Sequence, residues 1–278
     1  MRAETGGVRP EGAESGPGEP AFGMHIPHDQ GPHSALNAQH PTPDTGPTGK
    51  ERRIADLFAR VAPKYDLINA VMSFGLHQSW RRRAAKLAAL RSGDCAVDVC
   101  CGTGDLARAA RERVGKGGVV IGVDICPAML AAAVRRTPEL VGRMVVARAE
   151  ALPLRTGCAG AALTGFSMRN VSDVRAAISE MSRAVRPGGR VVILETATPR
   201  PRVVRPFWRF YMRRIVPKLA RLFGAPADAY EYFEQSVREF RTREELAAEM
   251  AACGLVDVTT HDLALGAVCV HTGVRNPL

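Results

Sequence analysis

Two groups of residues in this chain have the types and spacing to do chemistry. The first is Asp98-Val-Cys-Cys-Gly102-Thr103-Gly104-Asp105. It follows the apolar run CAVDVC and opens the helical stretch LARAARERV. Glycines at 102 and 104 let the backbone turn sharply and approach a ligand with no Cβ in the way. A second apolar run, VVIGVD, ends in Asp124, 20 residues after Gly104, with Ile125 next. A carboxylate there can accept hydrogen bonds from both hydroxyls of a ribose. Blander readings stand beside these: a plain tight turn for the glycines, and a helix N-cap before Pro127 for Asp124.

The second group is Arg169-Asn170, which follows the apolar run AALTGFS. Arginine keeps its charge, so it suits oxyanion stabilisation or water positioning better than the role of base. The alternative is a surface arginine and an asparagine capping the next helix. Tyr65, Asp66 and Asn69 share one helical or turn face and could close over a bound molecule, or merely pack and cap. His77 is a candidate base or a structural histidine. Glu195, at the end of RVVILET, is a candidate polar anchor.

The elements that must hold these residues are legible in the hydrophobic pattern. ERRIADLFARV spaces Ile54, Leu57, Phe58 and Val61 at helical intervals, and Pro63 breaks the helix. Residues 76–90 form a second amphipathic stretch. Strands are then expected at 95–100, 119–124, 145–150, 161–167 and 190–196, with helices between them at about 106–114, 127–136 and 173–185. RPGG is read as the turn that ends the last of these helices. Repeated strand–helix units predict a mostly parallel α/β sheet covered on both faces. After a helix at 242–253, the runs 256–263 and 266–274 are nearly contiguous, which predicts an antiparallel hairpin.

Composition bounds the rest. The 278 residues are 46% hydrophobic and 24% charged, but only 5% aromatic, so the core must be aliphatic. Collagen, coiled coil and wholesale disorder are excluded. No apolar window is long enough to span a bilayer, and the first residues lack the apolar stretch of a secretory leader. Seven cysteines without a CxxC pair suggest reduced, buried thiols, and no metal site is expected. Residues 1–50 hold 9 Gly and 8 Pro and are expected to be a disordered tail, within which Met24 is an alternative start. The net charge of +10 is uneven: residues 200–223 carry eight basic side chains and no acidic ones. That segment also holds Phe207, Trp208, Phe210, Tyr211 and Phe223. Cations among aromatic rings suit an anionic bilayer surface; an RNA surface or a plain helical subdomain are the competing readings.

Six further blocks carry a resemblance: D-x-C-C-G-T-G-D-L, G-V-D-x-x-x-x-M-L, A-E-A-L-P-L, F-S-M-R-N-V-S-D, E-M-x-R-x-x-R-P-G-G and L-E-T-x-x-P, in this order. Before them stands I-A-D-L-F-x-x-V-A-x-x-Y-D-L-I-N-x-x-M-S-F-G-L-H-x-x-W. Over about 51–275 the chain resembles the C-methyltransferases of menaquinone and ubiquinone biosynthesis, the UbiE/MenG type. The resemblance implies a class I, Rossmann-like methyltransferase fold with a seven-stranded sheet and a C-terminal antiparallel hairpin. It implies S-adenosylmethionine (SAM) as cofactor, held at the Asp98–Asp105 loop through Gly102, Thr103 and Gly104, at Asp124 and Ile125, at Arg148 and Ala149 beside the adenine, and at Gly165. It implies a polyprenyl quinol as acceptor, with Arg169-Asn170 at the reaction centre. A cytoplasmic protein touching the inner membrane face, with no nucleic-acid partner and a homodimer as one arrangement, completes the expectation. Two residues depart from the family pattern. Arg148 stands where Asp or Asn is usual, and arginine has no acceptor for an adenine amine. Gly165 stands where Ser is common. Both leave room for another lipophilic phenol as acceptor.

Overall fold

The computed structural model describes residues 48–223 and 226–277. All but the last three residues of the expected tail, and the alternative start at Met24, lie outside the described residues. The first helix, α1 (Gly49–Val61), begins two residues before the expected boundary. Thr48 and Glu51 explain this: they form a reciprocal capping box over its first turn. Pro63 separates it from α2 (Tyr65–Met72), and α3 (His77–Leu87) follows.

Strands and helices then alternate: β1 (Cys95–Val99), α4 (Asp105–Val114), β2 (Val119–Asp124), α5 (Pro127–Arg136), β3 (Met144–Val146), β4 (Ala159–Gly165), α6 (Val174–Ala184) and β5 (Val185–Thr196). The helices α7 (Arg205–Phe210), α8 (Val216–Leu222) and α9 (Ala227–Glu239) form the basic, aromatic segment and its continuation. The chain closes with α10 (Arg243–Ala252), β6 (Leu255–Leu263) and β7 (Val268–Arg275). The sheet order is β3-β2-β1-β4-β5-β7-β6. β7 runs antiparallel to β5 and β6, and the other pairings are parallel. This is the class I methyltransferase arrangement.

Two elements differ from the sequence expectation. β3 ends at Val146, and Arg148–Glu150 lie beyond its carboxyl end, free to face a ligand. The RPGG turn is absorbed into β5: Ala159 pairs with Val185 and Ala161 with Arg190, so residues 186–189 bulge between the two pairings.

Alternate residues of each central strand feed opposite core layers. Val97 and Val99 pack with Ile178, Met181 and Met250, under α6 and α10. Ala96 packs with Ala84, Ala110, Leu130 and Ala133, under α3, α4 and α5. The order reverses between β1 and β4, which opens a crevice at their carboxyl ends, where such sheets bind ligands. The glycine loop follows β1, and Arg169-Asn170 follows β4. Topology thus brings both reactive groups to one crevice. α1 and α2 lie over it, joined to α8 and α9 by a cluster around Val61, Ile68, Val216 and Tyr230. No described helix is long and apolar enough to cross a membrane.

Candidate active site

Two cavities open side by side in the crevice. The first encloses about 690 Å³ including its mouth, and is lined from the glycine loop, the ends of β2 and β4, the turn after β3, and α1. Asp124 is its central carboxylate. Gly102 N–H donates to Oδ2 and Cys126 N–H to Oδ1, both at 2.8 Å. These bonds fix the carboxylate and leave each oxygen a further lone pair for the cavity. Burial pushes the Asp124 carboxyl up, against these backbone donors. Gly102 has φ +54 with open space where a Cβ would sit, so conformation rather than space favours glycine there. Gly104 combines φ +80 with a close approach: a Cβ there would lie 3.1 Å from Ala133 Cβ on α5.

Ile125, Arg148, Ala149 and Gly165 also line this cavity. Arg148 turns to Glu51 on α1, with Nε 3.0 Å and Nη2 2.9 Å from Oε1. Glu150, the next carboxylate along, is occupied by the backbone N–H groups of Ser172 and Asp173.

The second cavity, about 520 Å³ with its mouth, is lined by α1, α2, α9 and the turn after β4. Its walls are mostly apolar and aromatic, among them Leu57, Ile68, Met72, Tyr230 and Phe233. Its polar groups are Tyr65, Asn69, Arg169, Asn170, Tyr232 and Ser236. Arg169 Nη1 lies 2.7 Å from Glu195 Oε1, with both side chains buried. The guanidinium carbon also sits 5.2 Å from the centre of the Phe233 ring. Tyr232 O–H donates to Asn170 Oδ1 at 3.0 Å, which leaves the Asn170 amide N–H₂ free to donate. Burial pushes the Tyr232 hydroxyl up, so it stays a donor. Phe58, Tyr65 and Asn170 border both cavities. A group held in one cavity can therefore meet a group held in the other.

A model of the ubiE/COQ5 methyltransferase family matches residues 47–275. The chain belongs to that family. It is 35% identical to the demethylmenaquinone methyltransferase of Shouchella clausii, over 81% of this chain and 97% of that protein. It is 37% identical to the ubiquinone/menaquinone biosynthesis C-methyltransferase UbiE of Geobacter sulfurreducens, over 82% and 90%. Among solved structures, a SAM-dependent methyltransferase from Thermotoga maritima superposes with a TM-score of 0.56 at 20% identity, covering 80% of this chain and all of that one. One from Aquifex aeolicus gives 0.51 at 14%, covering 70% and 89%. These two share the fold. The protein is a SAM-dependent methyltransferase of the ubiE/COQ5 family.

The residues fit that cofactor. The cavity offers a fixed carboxylate for ribose hydroxyls, a glycine turn beside it and apolar plates from Ile54, Phe58, Ile125 and Met129 for a base. Other expected site residues of this family member sit elsewhere. Thr103, Asp66 and His77 line neither cavity and belong to a polar network beneath the glycine loop. Thr103 Oγ1 donates to Asp66 Oδ1 at 2.7 Å. Arg136 bridges Asp66 at 2.7 Å and Asp105 at 3.0 Å. Gln78 donates to Asp105 at 2.9 Å, and its amide lies 3.0 Å from His77 Nε2. Burial, then the neighbouring Arg81, brings His77 down to about 4, and its Nδ1 is 2.8 Å from Ser73 Oγ. The network ties α2 and α3 to the loop, so these residues brace the first cavity from outside. Asp98 is buried on β1, also outside both linings, and its carboxylate meets no donor but the backbone of Ala107.

Tyr232 and Phe233 were not singled out by sequence. A signal was present: of only four tyrosines in the chain, two fall at 230 and 232, and Tyr65 joins them around the second cavity.

Proposed function

We propose that this methyltransferase acts on a ring carbon of a polyprenyl quinol, of the demethylmenaquinol type in the first place. One observation carries the reading. A cavity lined by aliphatic and aromatic side chains opens beside the cofactor cavity, with a buried Arg169–Glu195 pair and the Asn170–Tyr232 pair in its wall. The names of the Shouchella and Geobacter relatives supply the acceptor class.

SAM, when bound, supplies an electrophilic methyl group. The protein must make a ring carbon nucleophilic and align it. A quinol carbon gains electron density when a neighbouring hydroxyl gives its proton to water; as that carbon bonds to the methyl, the sulfur–methyl bond breaks, S-adenosylhomocysteine leaves, and the ring-carbon proton passes to water. In our reading Arg169 places a fixed positive charge against that oxygen and favours the phenolate. Glu195 holds the guanidinium in place, and Phe233 stacks on it. Asn170, oriented by Tyr232, turns its amide N–H₂ to the same oxygen or to a water beside it. Asn69 and Tyr65 supply further polar contacts, and the apolar wall takes the ring and the start of the isoprenoid tail. On the cofactor side Asp124 takes the ribose hydroxyls, and the Gly102 turn and Ala149 border the nucleoside.

A membrane surface fits the same reading. Val203, Phe207, Phe210 and Leu222 are each at least 60% exposed, among Arg202, Arg209, Arg214 and Arg221. Apolar rings beside cations bind anionic interfaces. Flotation with anionic-lipid vesicles at low salt tests this, and a protein that stays at the bottom refutes it.

The acceptor is tested by incubating the protein with methyl-labelled SAM and reduced demethylmenaquinone in detergent, beside a demethylated benzoquinol. Label in the naphthoquinol fraction is the expected result. Label only in the benzoquinol, or in neither, overturns the acceptor assignment.

A further inference from the structure

The first cavity has an end whose chemistry does not match its obvious residue. The base of the cofactor must lie toward β3. The ribose is fixed at Asp124 after β2, and the methyl-bearing end must reach Asn170 after β4, where the cavities meet. β3 is on the opposite side of β2 in the sheet order. The polar side chains at that end are Arg148, Glu150 and Glu51. An adenine presents an exocyclic amine there, which needs an acceptor. Arg148 has donors only. Glu150 Oε1 is engaged by the two backbone N–H groups after Val171, and its Oε2 faces Arg148 Nε at 3.9 Å. Glu51, fixed by Arg148 and by Thr48, is the other carboxylate.

We infer that Glu51 of α1 is the acceptor for the adenine amine, and that Arg148 is the residue that positions it. Glu51 lines the cavity, though its side chain is only 6% exposed. Oε1 takes both Arg148 contacts and Oε2 takes the Thr48 N–H at 2.6 Å. A carboxylate has about four acceptor sites; Arg148 and the Thr48 N–H use three, and an amine would share the fourth with the Ser172 hydroxyl. Burial works to raise the Glu51 carboxyl, but Thr48 and Arg148 outweigh it and hold it below its ordinary value. An anionic acceptor makes a stronger bond to an amine than a neutral one. The consequence reaches the fold as well. Glu51 is the N3 residue of the capping box that starts α1, and α1 also walls the second cavity through Leu57 and Val61. Recognition of the base and placement of the acceptor wall thus share one helix.

This inference rests on SAM as cofactor and is independent of the quinol. Calorimetric titration of the full chain with S-adenosylhomocysteine and with S-inosylhomocysteine, which carries a 6-oxo group instead of the amine, tests it. The wild type should bind the adenosine compound at least ten-fold more tightly. Glu51→Gln, which keeps the capping acceptor and gains a donor for the oxo group, should shrink that preference ten-fold or more. Arg148→Ala should weaken the adenosine compound several-fold, and Arg148→Lys should restore part of the loss. Melting of the ligand-free variants distinguishes lost recognition from lost folding, since a destabilised fold weakens both ligands alike. A Glu51→Gln variant with the wild-type preference overturns the inference alone. A wild type that binds neither compound overturns the cofactor assignment on which it rests.

Discussion

The two cavities are made in different ways. The walls of the cofactor cavity come mostly from the first residues after β1, β2, β3 and β4. Most polar groups there sit within a few residues of a strand end, where the sheet fixes them; Glu51 and Tyr65 come instead from α1 and α2. The acceptor cavity is made by helices. Residues 57–72 of α1 and α2 face residues 229–236 of α9 across a mostly apolar space, and only Arg169 and Asn170 reach it from the sheet. Rigid strands suit a ligand read by hydrogen bonds, where a small misplacement costs binding. Helices that pack through aliphatic and aromatic contacts suit a greasy ligand, which is recognised by area. The division also separates tasks: the acceptor wall can change without disturbing Asp124 or the glycine turn. Phe58, Tyr65 and Asn170 are the seam.

If the division is real, the largest effect belongs to Arg169. Arg169→Lys should keep a charge opposite Glu195 but lose the planar fork, and methyl transfer should fall by roughly 10²–10³-fold, as for other lost oxyanion donors. Affinity for S-adenosylhomocysteine should change less than about three-fold. A parallel loss of cofactor affinity, measured by titration, would show that the cavities do not act separately. Arg169→Ala is the poorer probe, because it leaves the buried Glu195 carboxylate uncompensated at a cost of about 3–5 kcal/mol. The mirror experiment is Asp124→Asn. Hydrogen bonds to a charged group contribute about 1.5–3 kcal/mol each, so cofactor affinity should drop roughly 10–100-fold. The KM for acceptor, measured at saturating SAM, should stay where it was. A shifted acceptor KM would place Asp124 in the service of both cavities.

The same division explains what the sequence revealed. The glycine loop, Asp124 and Arg169-Asn170 were legible because each follows its own strand directly, and strands announce themselves by apolar runs. The mostly parallel sheet followed from the alternation of elements and the closing hairpin from the short gap between its runs, but the order of the strands did not. Tyr232 and Phe233 were not found, because their place depends on α9 folding back over α2, a contact between residues far apart in the chain. Glu51 was hidden for the same reason: its partner Arg148 is 97 residues away. Asp66 and His77 show the opposite failure. Their neighbourhood in sequence to Tyr65 and Asn69 suggested the acceptor, but helical geometry turns them to the other side, onto Thr103, Asp105 and Arg136. Local spacing fixes a helix and leaves open what each face will meet.

A smaller effect sharpens the seam. Tyr232→Phe removes the phenol that orients Asn170 and little else. A neutral hydrogen bond is worth about 0.5–1.5 kcal/mol, so kcat should fall about three- to ten-fold, with S-adenosylhomocysteine affinity unchanged. An unchanged kcat would remove Tyr232, and with it α9, from the polar side of the acceptor cavity.

The last effect is on stability rather than on catalysis, and lies outside both cavities, at Asp98. Burial pushes its carboxyl from the ordinary 3.8 up to about 8, opposed by the Ala107 backbone and Arg81. The folded protein therefore keeps a proton that the unfolded chain releases. Stability from this group is complete below about pH 4 and declines as pH rises, until it is lost above about pH 8. Asp98→Asn has no proton to lose. Between pH 5.5 and 8.5 the wild type should lose stability relative to the variant, by at most about 1.4 kcal/mol per pH unit below pH 8 and levelling off above it. Urea denaturation of both proteins across that range measures the gap. A constant gap would mean that Asp98 is ionised in the fold, whereas a gap that grows and then levels near pH 8 would mean that it is buried as the neutral acid.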